Sequence, residues 1–277
     1  MSTRLRVLGN ADVPAALELL RPEPISNLFL RSRFAQYGLD RVTLGCEVLG
    51  FERDRQLVAL CHVGSNLVPA GSDPEALDAF AAKIGARRHS SSIMGRAPLV
   101  RGLHERLAER HGSWARVREV RAHQPLMVTD HESPFVGDPR VRVITMADFE
   151  PYFEAAVAMY TEEVGVSPLD PSGGYRTHMR RLVTEGHCFG IVEDGTVLFK
   201  SDIGTAYGAI CQIQGVWLAP ELRGQGASVP AMSSVIALAR ERYPVVSLYV
   251  NDFNTRARRL YETVGFRTVG EFATVLY

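Results

Sequence analysis

Residues 216–228 read Val-Trp-Leu-Ala-Pro-Glu-Leu-Arg-Gly-Gln-Gly-Ala-Ser, and their order decides the fold. An apolar run of strand character passes into a Gly-rich turn, and the turn opens onto a helix-forming stretch. Such a turn gathers backbone N–H groups at a helix start, where orphan donors and the positive end of the macrodipole meet. It is a place to hold an anion, a pyrophosphate in particular. Gly224 and Gly226 let the backbone come close to that anion. Arg223 and Gly226 stand at R-x-x-G spacing. Pro230 has no N–H to lose in a first helical turn, so the helix is expected to start close to Ser228 or to kink there. Alone, the turn is a weak signal, because an ordinary loop reads the same way.

Working outward sharpens it. Val245 to Val250 is a second apolar strand, and residues 254–266 read Asn-Thr-Arg-Ala-Arg-Arg-Leu-Tyr-Glu-Thr-Val-Gly-Phe. A V-x-L-x-P-x-x-R-G-x-G stretch followed by N-x-x-A-x-x-L-Y-x-x-x-G-F resembles the acyl-CoA-binding half of the GCN5-related N-acetyltransferases (GNAT). The resemblance runs from Val141 to Tyr277, with its sharp motifs inside 212–266. Ser228 departs from it, because the family usually has Gly or Ala at the last position of Q/R-x-x-G-x-G/A.

The resemblance implies a mixed sheet in which the strand before the turn and the strand after its helix run parallel and then splay. The pantetheine arm of acetyl-CoA would lie in that gap, against backbone groups of Val216, Trp217 and Leu218. Arg223, Gly224, Gln225, Gly226, Ala227, Ser228 and Val229 would hold its phosphates. Acetyl-CoA is then the co-substrate, with no metal, and a small-molecule or peptide amine is the acceptor.

The chain reads as two similar halves. Leu5-Arg-Val-Leu-Gly-Asn-Ala-Asp-Val opens the first and Val141-Arg-Val-Ile-Thr-Met-Ala-Asp-Phe the second. Each predicts a short strand and then a helix, and Thr145-x-x-Asp148 resembles a capping box. A second helical stretch follows in each, Ser26–Tyr37 and Gly173–Glu185. Hairpins are expected at Cys46–Val63, turning at Arg53-Asp54-Arg55, and at Cys188–Ile203, turning at Asp194-Gly195. Ser91–Leu107 echoes Leu248–Val264 as strand and helix. Between its hairpin and its late strand the first half has Gly64 to Pro74 and a helix at about Glu75–Ile84, with no phosphate turn. His104 stands where the second half has Tyr261.

This pattern predicts an α/β chain of two GNAT-like domains, each a mixed, mostly antiparallel sheet flanked by helices. The first, residues 1–130, is a degenerate copy without the cofactor motif, expected to shape the acceptor cleft. Residues 131–139 are a linker rich in turn formers, and residues 140–277 are the acetyltransferase domain. Two unrelated α/β domains with similar patterning are the competing reading.

Composition bounds the rest. The 277 residues are 46% hydrophobic and 22% charged with formal net charge zero, which favours neither nucleic acid nor a membrane surface as partner. Lys83 and Lys200 are the only lysines. Cys46, Cys61, Cys188 and Cys211 are far apart in apolar runs, without C-x-x-C, and read as buried thiols in a reducing cytoplasm. No signal peptide or membrane span is legible, so a cytoplasmic protein is expected. A homodimer remains open.

Acetyl transfer needs an acid for the leaving thiolate, an oxyanion donor and a base for the ammonium. By resemblance Tyr261 is the acid; as a residue it is equally a core aromatic beside Leu260 and Phe266. The Leu218 N–H or a neighbour on that strand is the candidate oxyanion donor. Asn254 either caps the following helix or, as the resemblance implies, binds pantetheine. The strand before the turn carries Gln212 and Gln214 but no carboxylate. Glu162, Glu163, Asp202 and the terminal carboxylate of Tyr277 are therefore the candidate bases, with Glu162 and Glu163 favoured. The loop 162–174, with Glu162, Glu163 and Asp170, is acidic and suits a cationic amine. His178 and His187 read as structural. A non-catalytic acyl-CoA sensor is the alternative.

Overall fold

The computed structural model describes residues 2–169 and 171–277; Asp170 of the expected acceptor loop lies outside the described residues. The chain forms two compact units. The first comprises Met1–Leu126 together with Tyr249–Phe253 and Thr268–Tyr277, and the second Met127–Leu248 with Asn254–Arg267. The expected halves and these units differ in one main element: the last strand of the chain belongs with the first unit.

In the first unit β1 (Thr3–Val7), α1 (Val13–Leu20), α2 (Leu28–Tyr37) and α3 (Arg41–Leu44) precede β2 (Glu47–Arg53), β3 (Gln56–Val63) and β4 (Asn66–Gly71). Then come α4 (Pro74–Ile84), β5 (Ser92–Arg96), α5 (Ala97–Arg110), α6 (Gly112–Ala115) and β6 (Glu119–Thr129). Strands β1 to β4 pair antiparallel in sequence order, and β4 pairs parallel with β5 only at Asn66↔Ser92 and Leu67↔Ile93. The terminal strand β12 (Arg267–Leu276) lies beside β5, running antiparallel to it from Phe272↔Arg96 to Leu276↔Ser92. Side-chain alternation divides the core. Leu49, Cys61 and Leu67 pack with α4 and α5, around Phe80, Val100, Leu103 and Trp114. Their neighbours Val48, Leu60 and Val68 pack with α1 and α2, around Leu20 and Phe34. Each such fully buried side chain contributes roughly 1.5–3 kcal/mol.

The second unit repeats the plan with β7 (Arg142–Val143), α7 (Phe149–Val164), α8 (Gly174–Thr184), β8 (Cys188–Glu193), β9 (Thr196–Tyr207) and β10 (Ile210–Leu218). It continues with α9 (Ser228–Arg240), β11 (Val245–Tyr249) and α10 (Thr255–Thr263). Strands β7, β8, β9 and β10 pair antiparallel, and β10 pairs parallel with β11. Strand pairing within each unit is therefore mixed and mostly antiparallel.

The likeness of the two units extends to single interactions. Arg6 pairs with Asp12 at 2.7 Å, and Arg142 pairs with Asp148 at 2.7 Å. In each copy the aspartate also accepts a backbone N–H three residues back, from Gly9 or Thr145. Both hairpins form two-residue loops with positive φ, at Asp54 (49°) and Arg55 (68°), and at Asp194 (47°) and Gly195 (74°). Such loops match the twist of the flanking strands.

The segment 131–139 is held within the second unit. Ser133 Oγ lies 2.7 Å from Ser233 Oγ, Ser234 Oγ donates to the Asp138 carbonyl, and the Asp138 N–H donates to Pro230 O. All four cysteines are free and buried. Among the described residues no helix is long and apolar enough to cross a membrane.

Candidate active site

Strand β10 and its turn build the site. The parallel pairing of β10 with β11 runs from Ile210↔Val245 to Gln212↔Ser247, whereas β10 continues to Leu218. Beyond Gln212 the two strands splay, as the resemblance implies. On its other edge β10 stays laddered to β9, with Trp217↔Lys200 and Leu218↔Phe199, and the Ala219 N–H donates to Leu198 O. Alternate residues of an antiparallel strand turn their amides to opposite edges. Ala219 uses the β9 edge, so Leu218 turns its N–H and C=O the other way, toward the splay. Its carbonyl there accepts Arg223 Nε at 3.0 Å.

The turn has the conformation that its glycines permit. Gly224 and Gly226 sit at φ +81° and +80°, and a Cβ at either would meet nothing within 4 Å. The backbone is therefore approachable from outside at both. Helix α9 begins at Ser228 with no side-chain cap on its first turn. Pro230 is its third residue, where a missing N–H leaves no helical bond unmade. Gln225 folds back, its amide donating to Glu221 O. Behind the turn, α9 buries Ala231, Met232, Val235, Ile236 and Ala239 on one face.

Glu162 ends up beside this turn. Its two carboxylate oxygens accept Arg223 Nη1 and Nη2 at 2.7 and 2.8 Å, and Trp217 Nε1 donates to it at 3.3 Å. The paired guanidinium holds the Glu162 carboxyl below its ordinary range. Such a carboxylate is a weak proton acceptor while it stays paired. Trp217 lays its ring against the core formed by α7 and α8.

Tyr261 is 8% exposed on α10, with its ring edge-on to Phe266. Burial pushes its hydroxyl well above the ordinary tyrosine value, and the charge of Glu163 adds to the push. A phenol held protonated in this way is a donor. Glu162 is thus paired with Arg223. Asn254 caps α10, its Oδ1 accepting the Ala257 N–H at 3.1 Å.

The remaining candidates lie elsewhere. Asp202 is 3% exposed and bound to Lys200 and Tyr152. Tyr277 belongs to the first unit, edge-on to Trp114, with its hydroxyl 3.0 Å from His104 Nδ1. His187 Nε2 is 3.0 Å from the Tyr243 hydroxyl, and burial lowers the pKa of His187 and His178 alike. A cavity of about 430 Å³ opens in the first unit beside the Arg96–Glu23 ion pair, and none of the candidate residues lines it. Two features were not read from sequence. The Glu162–Arg223 pair spans 61 positions and leaves no local signal. The buried Lys200 was visible only as a lysine inside the apolar run Val197–Ile203.

Comparison with known proteins agrees with this geometry. Residues 148–266 match the family described as Acetyltransferase (GNAT) family, and residues 46–152 match a domain of unknown function, DUF4081. No curated protein matches. A GCN5-related N-acetyltransferase from Sphaerobacter thermophilus is similar at 16% identity and TM-score 0.67, covering 99% of this chain and 94% of that one. A GNAT-family acetyltransferase from Colwellia psychrerythraea is similar at 11% identity and TM-score 0.60, with 99% of both chains covered. A tandem GNAT protein of the clavulanic acid pathway is similar at 11% identity and TM-score 0.55, covering 99% of this chain and 98% of that one. At these identities the likeness is one of fold. Residues 148–266 therefore carry the match to the GNAT family, the chain as a whole shares the fold of these acetyltransferase structures, and the first half has no phosphate turn.

Proposed function

We propose that the second half binds acetyl-CoA along β10 and transfers its acetyl group to a primary amine by direct attack in a ternary complex. The observation that carries this is the uncapped start of α9 behind two open, positive-φ glycines, at the end of a strand whose free edge faces a splay. In this reading the turn from Arg223 to Val229 holds the pyrophosphate, and backbone groups of Val216, Trp217 and Leu218 meet the pantetheine arm. Leu218 N–H is the oxyanion donor. Tyr261, kept protonated by its burial, donates the proton to the leaving thiolate, an assignment that rests on its place in the motif.

Glu163 is the carboxylate assigned to removing the amine proton. Glu162 steadies Arg223 and, through it, the turn. Asn254 orders the start of α10 that carries Tyr261. The acidic end of α7 supports a cationic acceptor, small molecule or peptide. A cytoplasmic setting and a homodimer belong to the same proposal. A second reading, an acyl-CoA sensor without catalysis, is favoured by two observations: Glu162 is engaged by Arg223, and β10 has no carboxylate of its own.

Calorimetry with acetyl-CoA tests the binding step, and a panel of primary amines with thiol release as readout tests transfer. One site per chain and acceptor-dependent thiol release are expected. Binding without release for any amine favours the sensor, and absence of binding ends both readings.

A further inference from the structure

Beneath β10 lies a buried charge pair for which the chemistry above has no use. Lys200 is fully buried and Asp202 is 3% exposed. Removing two such charges from water costs several kcal/mol per ion before their attraction is counted. The pair is fully engaged. Lys200 Nζ lies 2.5 Å from Asp202 Oδ2 and 2.9 Å from the Gly215 carbonyl oxygen. Asp202 Oδ1 accepts the Tyr152 hydroxyl at 2.6 Å.

Gly215 belongs to a bulge. Between Gln214↔Asp202 and Trp217↔Lys200 the ladder takes three steps on β10 and two on β9. Its φ is +59°, and a Cβ there would stand 2.7 Å from Asp202 Oδ2 and 2.9 Å from Lys200 Nζ. The bulge backbone rests directly on the ion pair. An apolar pair of similar volume would fill the space as well. It would not fix the direction of a carbonyl.

In a trans peptide the C=O and the following N–H point opposite ways. Clamping Gly215 C=O to Lys200 therefore turns the Val216 N–H away from the pair and fixes it there. We infer that Lys200, braced by Asp202 and Tyr152, is a positioning residue for the acyl-CoA site: it aims the Val216 amide and sets the register of Trp217 and Leu218 after it. This rests on the cofactor reading of β10 given above. Bulges of this kind re-aim groups beside active sites.

Dissociation constants of CoA and acetyl-CoA, measured by calorimetry beside a thermal melt, test it on three proteins. In Lys200→Met/Asp202→Val both charges go together, and the Tyr152 hydroxyl keeps Ser201 O, 3.0 Å away, as acceptor. Lys200→Arg keeps a charged donor. The double variant should melt cooperatively and bind both CoA and acetyl-CoA about tenfold more weakly, as expected for one lost hydrogen bond to the shared pantetheine arm. Lys200→Arg should recover most of the loss. A purely structural role would move the melt and leave both affinities unchanged. Wild-type affinities in a folded double variant overturn the inference alone. If the double variant does not fold, Tyr152→Phe carries the test, and unchanged affinities for both ligands there overturn it equally. A wild-type chain that binds neither ligand overturns the cofactor reading and this inference with it.

Discussion

Helices α4 and α9 occupy the same place in the two repeats, each after the strand that pairs parallel with the next. They treat their N-termini in opposite ways. Asp73 caps α4, its carboxylate accepting the Glu75 N–H at 3.0 Å and pairing with Arg53 at 2.7 Å. Arg53 keeps that carboxyl below its ordinary range, so the first copy supplies its own anion. Helix α9 has no cap, and open glycines stand before it. A shared fold thus provides the helix start twice, and the few residues in front of it decide whether an outside anion can use it.

The strongest way to break this contrast is Gly226→Val. A branched residue at φ +80° is strained wherever it stands. Calorimetry should find no measurable CoA binding, while circular dichroism shows a cooperative melt. Retained affinity would place the phosphates elsewhere.

Tyr261→Phe asks whether the second copy has chemistry that the first lacks. The ring keeps its place against Phe266. Once an acceptor is identified, kcat should fall by about 10²–10⁴-fold with CoA affinity nearly unchanged. Wild-type turnover would remove Tyr261 from the mechanism.

Acid should expose a weakness of the first copy. His62 is 4% exposed, with Nδ1 3.1 Å from Asn66 O and Nε2 3.1 Å from Cys46 Sγ. Burial pushes its pKa down to about 4 from 6.5. The unfolded chain takes up the proton first, so stability is intact above pH 6.5 and falls until about pH 4. The loss is about 3 kcal/mol for this one group. Denaturant melts across that window should show it, and His62→Gln should flatten part of it. His178 and His187, lowered in the same direction, keep a share in the second copy. A slope unchanged by His62→Gln refutes the assignment.

The smallest effect is expected from Asp73→Ala. Loss of the cap should cost about 1 kcal/mol, read as a lower melting temperature. It should create no second CoA site, because residues 64–73 lack the glycine turn. A stoichiometry of two would show that the cap alone closes the first copy.

The turn, both hairpins and the repeat were legible because each rests on neighbouring residues. Gly224 and Gly226 announce positive φ, Asp194-Gly195 a tight hairpin, and Thr145-x-x-Asp148 a helix start. Tyr261 was singled out by its motif, and its burial against Phe266 fits a plain core residue as well. The candidate bases Glu162 and Glu163 are adjacent in sequence, and only packing shows that Glu162 meets Arg223. The cofactor role of Asn254 stays a proposal beside its observed use as a cap.

By itself the sequence determined the strand–turn–helix of residues 216–240, the order of elements in each repeat and the absence of a phosphate turn from the first. These follow from dihedral preference, capping and alternation, which act over a few consecutive residues. Tertiary structure alone decided that β12 completes the first unit, that Arg223 takes Glu162, and that Lys200 and Asp202 lie under the bulge at Gly215. Those outcomes depend on strand register and on which charges share a buried space, and both are set by residues far apart in the chain.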